Sequence, residues 1–148
     1  MRPPETIPVE ELVPHRQPTL MIDGLLEAST ERGIASKMFR LLEYGVCGDL
    51  VCETALVECV AQTAAAFLGY GQLASPLQEE LGFLVGLSSF SFARRPQIGE
   101  LLLIEARLEK RFEEIFMVKG RVFASKISGE CIAEGKLKIY LKNAKKEE

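Results

Sequence analysis

The sequence lacks the residues from which metal sites are usually built. It contains one histidine, His15, and four cysteines, none of which forms a Cys-x-x-Cys pair. A zinc site needs ligands at close and regular spacing. We therefore expect neither a bound metal nor a cofactor, and we interpret the cysteines as small, buried, reduced side chains.

A membrane span, a signal peptide and an excess of positive charge are also missing. The most apolar segment, residues 55–70, is interrupted by Glu58 and Gln62, and no apolar run is long enough to cross a bilayer. Residues 1–11 include two consecutive prolines and three glutamates but no apolar stretch of the kind a secretory signal needs. The net charge of −3 argues against a nucleic-acid partner. These absences predict a cytoplasmic protein that binds neither membrane nor nucleic acid.

The length and composition are those of an ordinary globular domain. The chain has 148 residues, of which 47% are hydrophobic and 26% are charged. That length suffices for one hydrophobic core, and we find no repeats, linkers or low-complexity tracts. We therefore predict a single domain over residues 1–148.

Residues 55–71 have the pattern of a buried helix. The segment is long, contains several alanines and lacks a period of two, and its apolar residues cover most of the helical circumference. Thr54 is a plausible N-cap, and Gly69 and Gly71 could end the helix in a left-handed conformation.

The remaining apolar segments read as strands. Before the helix, a short lead-in ends at Pro14, and strands are predicted at 19–27 and 33–42. After it come an apolar run at 81–92 and three alternating segments at 100–110, 116–124 and 131–139. Short breaks at 113–114 and 128–129 join the three alternating segments. One buried helix and a long antiparallel sheet pack when the sheet curls around the helix. This is the hotdog fold, of the α+β class.

Glu58 is the first candidate for chemistry. It is a carboxylate near the start of a helix that otherwise looks buried, and a charge is costly to bury unless it is paired or functional. Such a group can serve as a general acid or base, or it can have a purely structural partner. Gln62 lies one turn later on the same face, where it could orient a substrate or satisfy Glu58. Ala65 and Gly69 extend a narrow stripe that suits an approaching backbone or a slim acyl chain.

Four further residues are candidates by residue type. His15 is the sole imidazole, so any proton transfer by histidine must use it, although a lone histidine beside a proline is more often structural. Tyr44 lies in the loop before the helix. Arg94 and Arg95 form a basic corner with Pro96, which is either a solvated turn or a site for an anionic carrier protein or a pantetheine phosphate.

Three short motifs resemble β-hydroxyacyl-(acyl carrier protein) dehydratases. The segment from Leu12 to Asp23 resembles their Pro-His-Arg-x-Pro opening and the apolar strand after it. Residues 58–62 are similar to their Glu-x-x-Ala-Gln helix motif, and residues 83–86 with 92–99 resemble their glycine-containing strand and its basic turn. The motifs occur in the family's order and span nearly the whole chain.

The resemblance implies a homodimer or larger homo-oligomer with active sites at the dimer interface and a tunnel for an acyl chain. It also implies a catalytic pair, in which a helix carboxylate matching Glu58 works with a loop histidine. On this basis we expect Gln62, Gly86 and Arg95 to contact an acyl-carrier-protein or CoA thioester.

The family's loop histidine, fourteen residues before the carboxylate, is replaced here by Tyr44. A tyrosine is a poor base near neutrality. Three hypotheses follow: a divergent dehydratase, like those of aryl-polyene gene clusters, with His15 or Tyr44 as the missing partner; a thioesterase that uses Glu58 alone; or a non-catalytic subunit that pairs with an active dehydratase.

Overall fold

The computed structural model describes residues 1–74, 80–127 and 129–143. Two 3-10 helices, Pro4–Thr6 and Val9–Glu11, come first, followed by β1 (Gly24–Ala28), β2 (Arg32–Met38), β3 (Val46–Cys47) and β4 (Leu50–Val51). Helix α1 (Glu53–Leu73) comes next. The chain then forms β5 (Glu80–Phe92), β6 (Leu101–Phe112), β7 (Ile115–Ala124) and β8 (Glu130–Asn143). Among these residues no helix is both long and apolar enough to span a membrane.

Across the described residues, six strands form one antiparallel sheet in the order β1-β2-β6-β7-β8-β5. Its inner face packs against α1, as predicted. The two are in close contact at Gly120 of β7, where an added Cβ would lie 2.1 Å from Cγ1 of Val60 on the helix. Only glycine fits there, which lets the sheet curl around the helix and confirms the predicted hotdog architecture.

A second layer covers the helix on another side. Residues 12–22, which we call the N-terminal segment, bury Leu12, Val13, Leu20, Met21 and Ile22. The sequence predicted a strand from residue 19, but the sheet begins only at Gly24. The amide of Met21 donates instead to the side chain of Gln62 on α1, so this part of the segment pairs with the helix rather than with a strand.

The ends of α1 differ from the prediction. The N-cap is Cys52 and not Thr54, and it makes no side-chain capping bond. Gly69 and Gly71 do not end the helix, which continues to Leu73. Gly69 has another role, because an added Cβ would lie 2.1 Å from the carbonyl oxygen of Leu12. The small side chain is needed where the backbone of the N-terminal segment crosses the helix.

The hairpins between the last strands lie near the predicted breaks. Glu113 and Glu114 separate β6 from β7. The second break includes Ser128, which lies outside the described residues. Strand β2 ends at Met38, earlier than the predicted residue 42, because the loop that follows turns away from the sheet.

Glu105 departs from simple alternation on β6. It lies on the outer face of the sheet, yet it is only 3% exposed because two arginines cover it. Arg121 Nη2 donates to one carboxylate oxygen at 2.6 Å, and Arg32 Nε donates to the other at 2.7 Å. Burial acts to raise the pKa of Glu105, but these hydrogen bonds outweigh it and hold the pKa below its ordinary value. The carboxylate joins β2, β6 and β7.

We expect Glu105→Gln to lower the free energy of unfolding by about 2 kcal/mol at pH 7, because two charge-assisted bonds are weakened in a buried site. The folded-state pKa is lowered, so this stabilisation is full above the unfolded value of about 4.3 and is lost as pH falls through the folded-state pKa. Urea unfolding at pH 7 and at about pH 3 measures both effects. Glu109→Gln, which removes the more exposed Lys136 pair, should cost less than about 1 kcal/mol. Equal costs for the two changes would contradict the assignment.

We expect Gly69→Ala to destabilise the protein by about 2 kcal/mol, because the new methyl group would overlap a backbone carbonyl. Gly71→Ala is the matched control. It lies two residues later in the same helix with nothing within 4 Å of an added Cβ, so alanine should stabilise the helix by about 0.5–1 kcal/mol. Thermal unfolding of the two variants should therefore shift in opposite directions. A shift in the same direction would mean that the N-terminal segment does not press on Gly69.

Candidate active site

A cavity of about 630 Å³ lies between the N-terminal segment, helix α1 and the strands β5 and β8. On the helix it is lined at spacings of three and four residues from Glu58 to Gln72, which corresponds to about 21 Å along the axis. Its opposite wall is formed by Gly82, Leu84, Ile139 and Leu141. The cavity is therefore elongated, with small or apolar side chains along much of its length.

His15 and Glu58 lie together at the wall of this cavity. The imidazole Nε2 is 3.8 Å from the carboxylate Oε1, and about a third of each side chain is exposed. The other imidazole nitrogen, Nδ1, is buried and has no hydrogen-bond partner among the described residues. Two groups capable of proton transfer thus share one opening, although 43 residues separate them in the chain.

The separation of these two atoms has a chemical meaning. At 3.8 Å they are too far apart for a direct hydrogen bond, so neither group uses up the hydrogen-bonding capacity of the other. A hydroxyl group or a water molecule placed between them is within reach of both. The pair therefore has the geometry expected of an acid and a base that act on one bound molecule.

Gln62, one helical turn after Glu58, bonds to the Glu58 carboxylate. Its Nε2 donates to Glu58 Oε1 at 2.8 Å and to the carbonyl oxygen of Thr19 at 2.8 Å, while its Oε1 accepts the N–H of Met21 at 2.7 Å. The side chain is fully buried and does not line the cavity. Of the two roles that the sequence left open for Gln62, the structure shows the contact with Glu58.

Of the two purposes suggested for the stripe of Ala65 and Gly69, the structure shows the approaching backbone, and the acyl chain stays a prediction. Ala61 and Ala65 line the cavity, where their small side chains leave room for a chain running along the helix. Gly69 also lines it and is the point at which the backbone of the N-terminal segment crosses.

Tyr44 is not brought to this pair. It is 58% exposed in the loop between β2 and β3 and does not line the cavity. The loop is held by Lys37, which is 1% exposed on the inner face of β2 and whose ammonium group pairs with the carboxylates of Glu43 and Asp23. Because the carboxylate of Glu43 is turned inward, the loop presents the next residue, Tyr44, to the surface. A catalytic role for Tyr44 stays a prediction that would need a second subunit.

The two arginines of the basic corner make different contacts. Arg94 forms bonds with Glu100 and Glu130, and these bonds raise its own pKa and lower that of Glu100. It therefore ties the end of β5 to the starts of β6 and β8. Arg95 donates from Nε to the carbonyl oxygen of Val51 at 2.9 Å, next to the start of α1. It does not line the cavity, so its expected contact with a substrate stays a prediction.

Gly86 lies on the outer face of the sheet, away from the cavity. The register of β5 against β8 shifts between Leu84 and Gly86, so Leu84 pairs with Ile139 of the inner face whereas Gly86 pairs with Lys138 of the outer face. The expected substrate contact at Gly86 came from the family resemblance, and it stays a prediction. In this structure, Gly82 and Leu84 are the residues of β5 that reach the cavity.

Several residues of the site were missed in the sequence. The backbone groups of Thr19 and Met21 give no signal in residue type. Leu68, Ile139 and Leu141 look like ordinary core positions until the cavity is seen. Lys37 had a usable signal, because alternation along β2 places it on the same face as Ala35 and Phe39, which are buried.

Comparison with known proteins assigns the family. The family model described as ApeP dehydratase, of the ApeP-like group, matches residues 7–148. The chain belongs to the ApeP-like dehydratase family. The match includes both residues of the pair in the cavity and begins before the N-terminal segment, so the whole site falls within the matched residues.

Among characterised relatives, this ApeP-like protein is similar to the 3-hydroxyacyl-[acyl-carrier-protein] dehydratase FabZ of Acetivibrio thermocellus. The two are 28% identical over 141 residues, which cover 91% of this chain and 92% of the relative. FabZ of Streptococcus equi subsp. zooepidemicus is 29% identical over 137 residues, covering 87% and 91%. The dehydratase-like function predicted from the sequence is confirmed at this level.

Solved structures show the same fold. The dehydratase heterocomplex ApeI:P from Xenorhabdus doucetiae includes a chain that superimposes with a TM-score of 0.83 at 19% identity, covering 93% of each chain. A hypothetical thioesterase with coenzyme A from Streptococcus pneumoniae gives a TM-score of 0.59 at 8% identity, covering 80% and 84%. The hotdog fold predicted from the sequence is confirmed.

Proposed function

We propose that this ApeP-like protein removes water from a 3-hydroxyacyl thioester carried by an acyl carrier protein, with Glu58 and His15 as the catalytic pair. The observation that carries the proposal is the placement of His15 and Glu58 at the wall of an elongated cavity. Their Nε2 and Oε1 atoms lie 3.8 Å apart, so each remains able to bond to a substrate. The FabZ relatives, whose names state this reaction, support the substrate class.

The reaction needs one group that accepts a proton and one that donates a proton. The C2–H bond breaks, and its proton passes to the basic member of the pair. The electron pair forms the C2=C3 double bond as the C3–O bond breaks, and the acidic member supplies the proton with which the hydroxyl leaves as water. The pair is left with its two protonation states exchanged, and a proton exchange with solvent or between the two groups restores it.

The cavity accounts for the rest of the substrate. The acyl tail would lie along α1, past Ala61 and Ala65, between the helix and the inner side chains of β5 and β8. Arg95 bonds to Val51 through Nε, and its terminal guanidinium nitrogens make no hydrogen bond to the part of the chain that the structure describes. It remains our candidate for the pantetheine phosphate or the acidic surface of the carrier. The expected cytoplasmic location also stays a prediction.

We expect Glu58→Gln and His15→Ala each to lower kcat/KM by about a hundredfold or more, because each removes one of the two proton-transfer groups. The assay is the interconversion of 3-hydroxyacyl and trans-2-enoyl carrier-protein thioesters, followed by mass spectrometry. Glu53→Gln is the control, since this exposed residue lies in the first turn of the same helix and does not line the cavity. It should keep the wild-type rate.

The alternatives give different results in the same assay. Hydrolysis of the thioester without dehydration would identify a thioesterase that uses Glu58 alone. A folded wild-type protein with neither activity would indicate a non-catalytic subunit. If Tyr44→Phe loses as much activity as Glu58→Gln while His15→Ala does not, the partner of Glu58 is Tyr44 from a second subunit.

We also propose that strand β5 pairs with a second hotdog subunit, in a homodimer as the sequence suggested. This strand is at one edge of the sheet and exposes about half of the side chains of Phe83, Val85 and Leu87. An apolar edge strand tends to associate unless it is covered. The heterocomplex named for the ApeI:P structure supports an assembly of two such subunits but not the identity of the partner.

We expect the purified wild-type protein to show twice the 16.4 kDa mass of one chain in light scattering, and Val85→Lys to shift it to a monomer. A lysine at the edge should oppose strand pairing. Leu26→Lys is the matched control, because Leu26 is 39% exposed on β1 at the opposite edge of the sheet. A wild-type monomer would overturn the homodimer and favour a hetero-oligomer. A dimer that only Leu26→Lys disrupts would place the interface at β1.

A further inference from the structure

The amide of Gln62 can have only one orientation in this structure. The N–H of Met21 can only donate, so it must face the amide oxygen of Gln62, which accepts it at 2.7 Å. The amide nitrogen is thereby directed at two acceptors, the carbonyl oxygen of Thr19 and the carboxylate of Glu58. Both of its N–H groups are used, so no donor remains for a substrate.

Through Thr19, the same amide is connected to the backbone that carries His15. The N–H and the hydroxyl of Thr19 both donate to the carbonyl oxygen of Arg16, and the N–H of Leu20 donates to that oxygen at 3.1 Å. The guanidinium group of Arg16 in turn donates to the carbonyl oxygens of Val13 and His15. This compact turn fixes residues 15–20 relative to one another. A shift of Thr19 against α1 would therefore move His15 against Glu58.

We propose that Gln62 is a positioning residue for the reaction, setting the separation of His15 and Glu58 through bonds to the carboxylate and to the turn that carries the imidazole. The inference rests on the proposed function of the pair. It differs from the role expected from the family resemblance, which was a contact with the substrate.

The charged groups around this amide determine what a substitution would do. Glu58 accepts a bond from the Gln62 amide on the same helix. His15 and Arg16 of the N-terminal segment line the cavity that Glu58 also lines. Lys37 on β2 is paired with Asp23 and Glu43. Of these, only Glu58 bonds to the amide, so a change at Gln62 acts first on that carboxylate.

We expect Gln62→Met to lower kcat by about tenfold to a hundredfold while KM changes less than about threefold. Methionine has a similar length but cannot hold the carboxylate or the turn, and small displacements of reacting groups are costly to catalysis. Thr63→Val is the matched control. Thr63 is the adjacent residue, is fully buried and bonds only to the carbonyl oxygen of Cys59, so the variant should keep the wild-type kcat.

Gln62→Glu provides a readout that a merely structural role would not change. When protonated, the new carboxyl group can donate to Glu58 and accept the N–H of Met21, but when ionised it places a second negative charge beside Glu58. We therefore expect the activity of this variant to recover as pH falls and to be lost as pH rises, with a pH profile displaced from the wild type. Gln62→Met should show no such recovery.

A second measurement does not depend on turnover. His15 is the only histidine in the chain, so its imidazole proton signal in NMR can be assigned directly. Glu58→Gln should change the chemical shift of that signal in the wild-type background, because the two side chains lie 3.8 Å apart. The change should be smaller in the Gln62→Met background because the two groups are no longer held together.

The outcomes are distinct. If folded Gln62→Met matches Thr63→Val in kcat and the NMR coupling is unchanged, the positioning role is refuted. If Gln62→Met raises KM with kcat unchanged, the amide contacts substrate and the proposal is wrong. If the wild type has no dehydratase activity but the NMR coupling behaves as expected, the proposed function fails while the positioning of the pair stands.

Discussion

The structure depends on the contact between helix α1 and the backbone of the N-terminal segment. The sheet alone would leave one side of this apolar helix open to water. Residues 12–22 close that side, and the side chain of Gln62 meets the free N–H and C=O groups that an unpaired backbone would otherwise bury without partners. The glycine at position 69 allows the backbone to approach. The cavity is the space that remains where this second layer and the sheet do not meet.

The ionic groups discussed above are of two kinds: buried groups with close partners, which join elements of the fold, and a partly exposed pair whose members do not contact each other directly. Glu105 is held by two arginines at 2.6 and 2.7 Å, and Lys37 is held by two carboxylates. Both are saturated and buried, and they join elements of the fold. His15 and Glu58 are neither fully buried nor in direct contact. Because a satisfied pair has little capacity left for a ligand, the unsatisfied one is where a substrate would be recognised.

The sequence was informative wherever one physical rule acted alone. Alternation placed Ile104 and Ala106 on the inner face, and the lack of a period of two identified α1. It failed where a tertiary contact replaced a local preference. Residues 20–22 are apolar and look like part of a strand, but the backbone N–H of Met21 and C=O of Thr19 bond to the side chain of Gln62. Gly86 follows a register shift that no residue type announces.

For the site, the sequence singled out both members of the pair without showing how they meet. Glu58 and His15 were singled out because each was chemically unusual in its surroundings. Their proximity depends on the path of the N-terminal segment across α1, which is a long-range feature and carries no local signal. Tyr44 was suggested by alignment with a lost histidine, and the structure leaves it on the surface because Glu43, the residue before it, is turned towards Lys37.

The path of the N-terminal segment has a consequence for how the protein becomes functional. The β6–β7 and β7–β8 hairpins pair residues that are at most 25 positions apart, whereas the His15–Glu58 pair must close a loop of 43 positions. The site is therefore complete only when this long-range closure has formed. Any local opening of residues 12–22 would separate His15 from Glu58, so the geometry of the site is only as stable as the packing of this segment on α1.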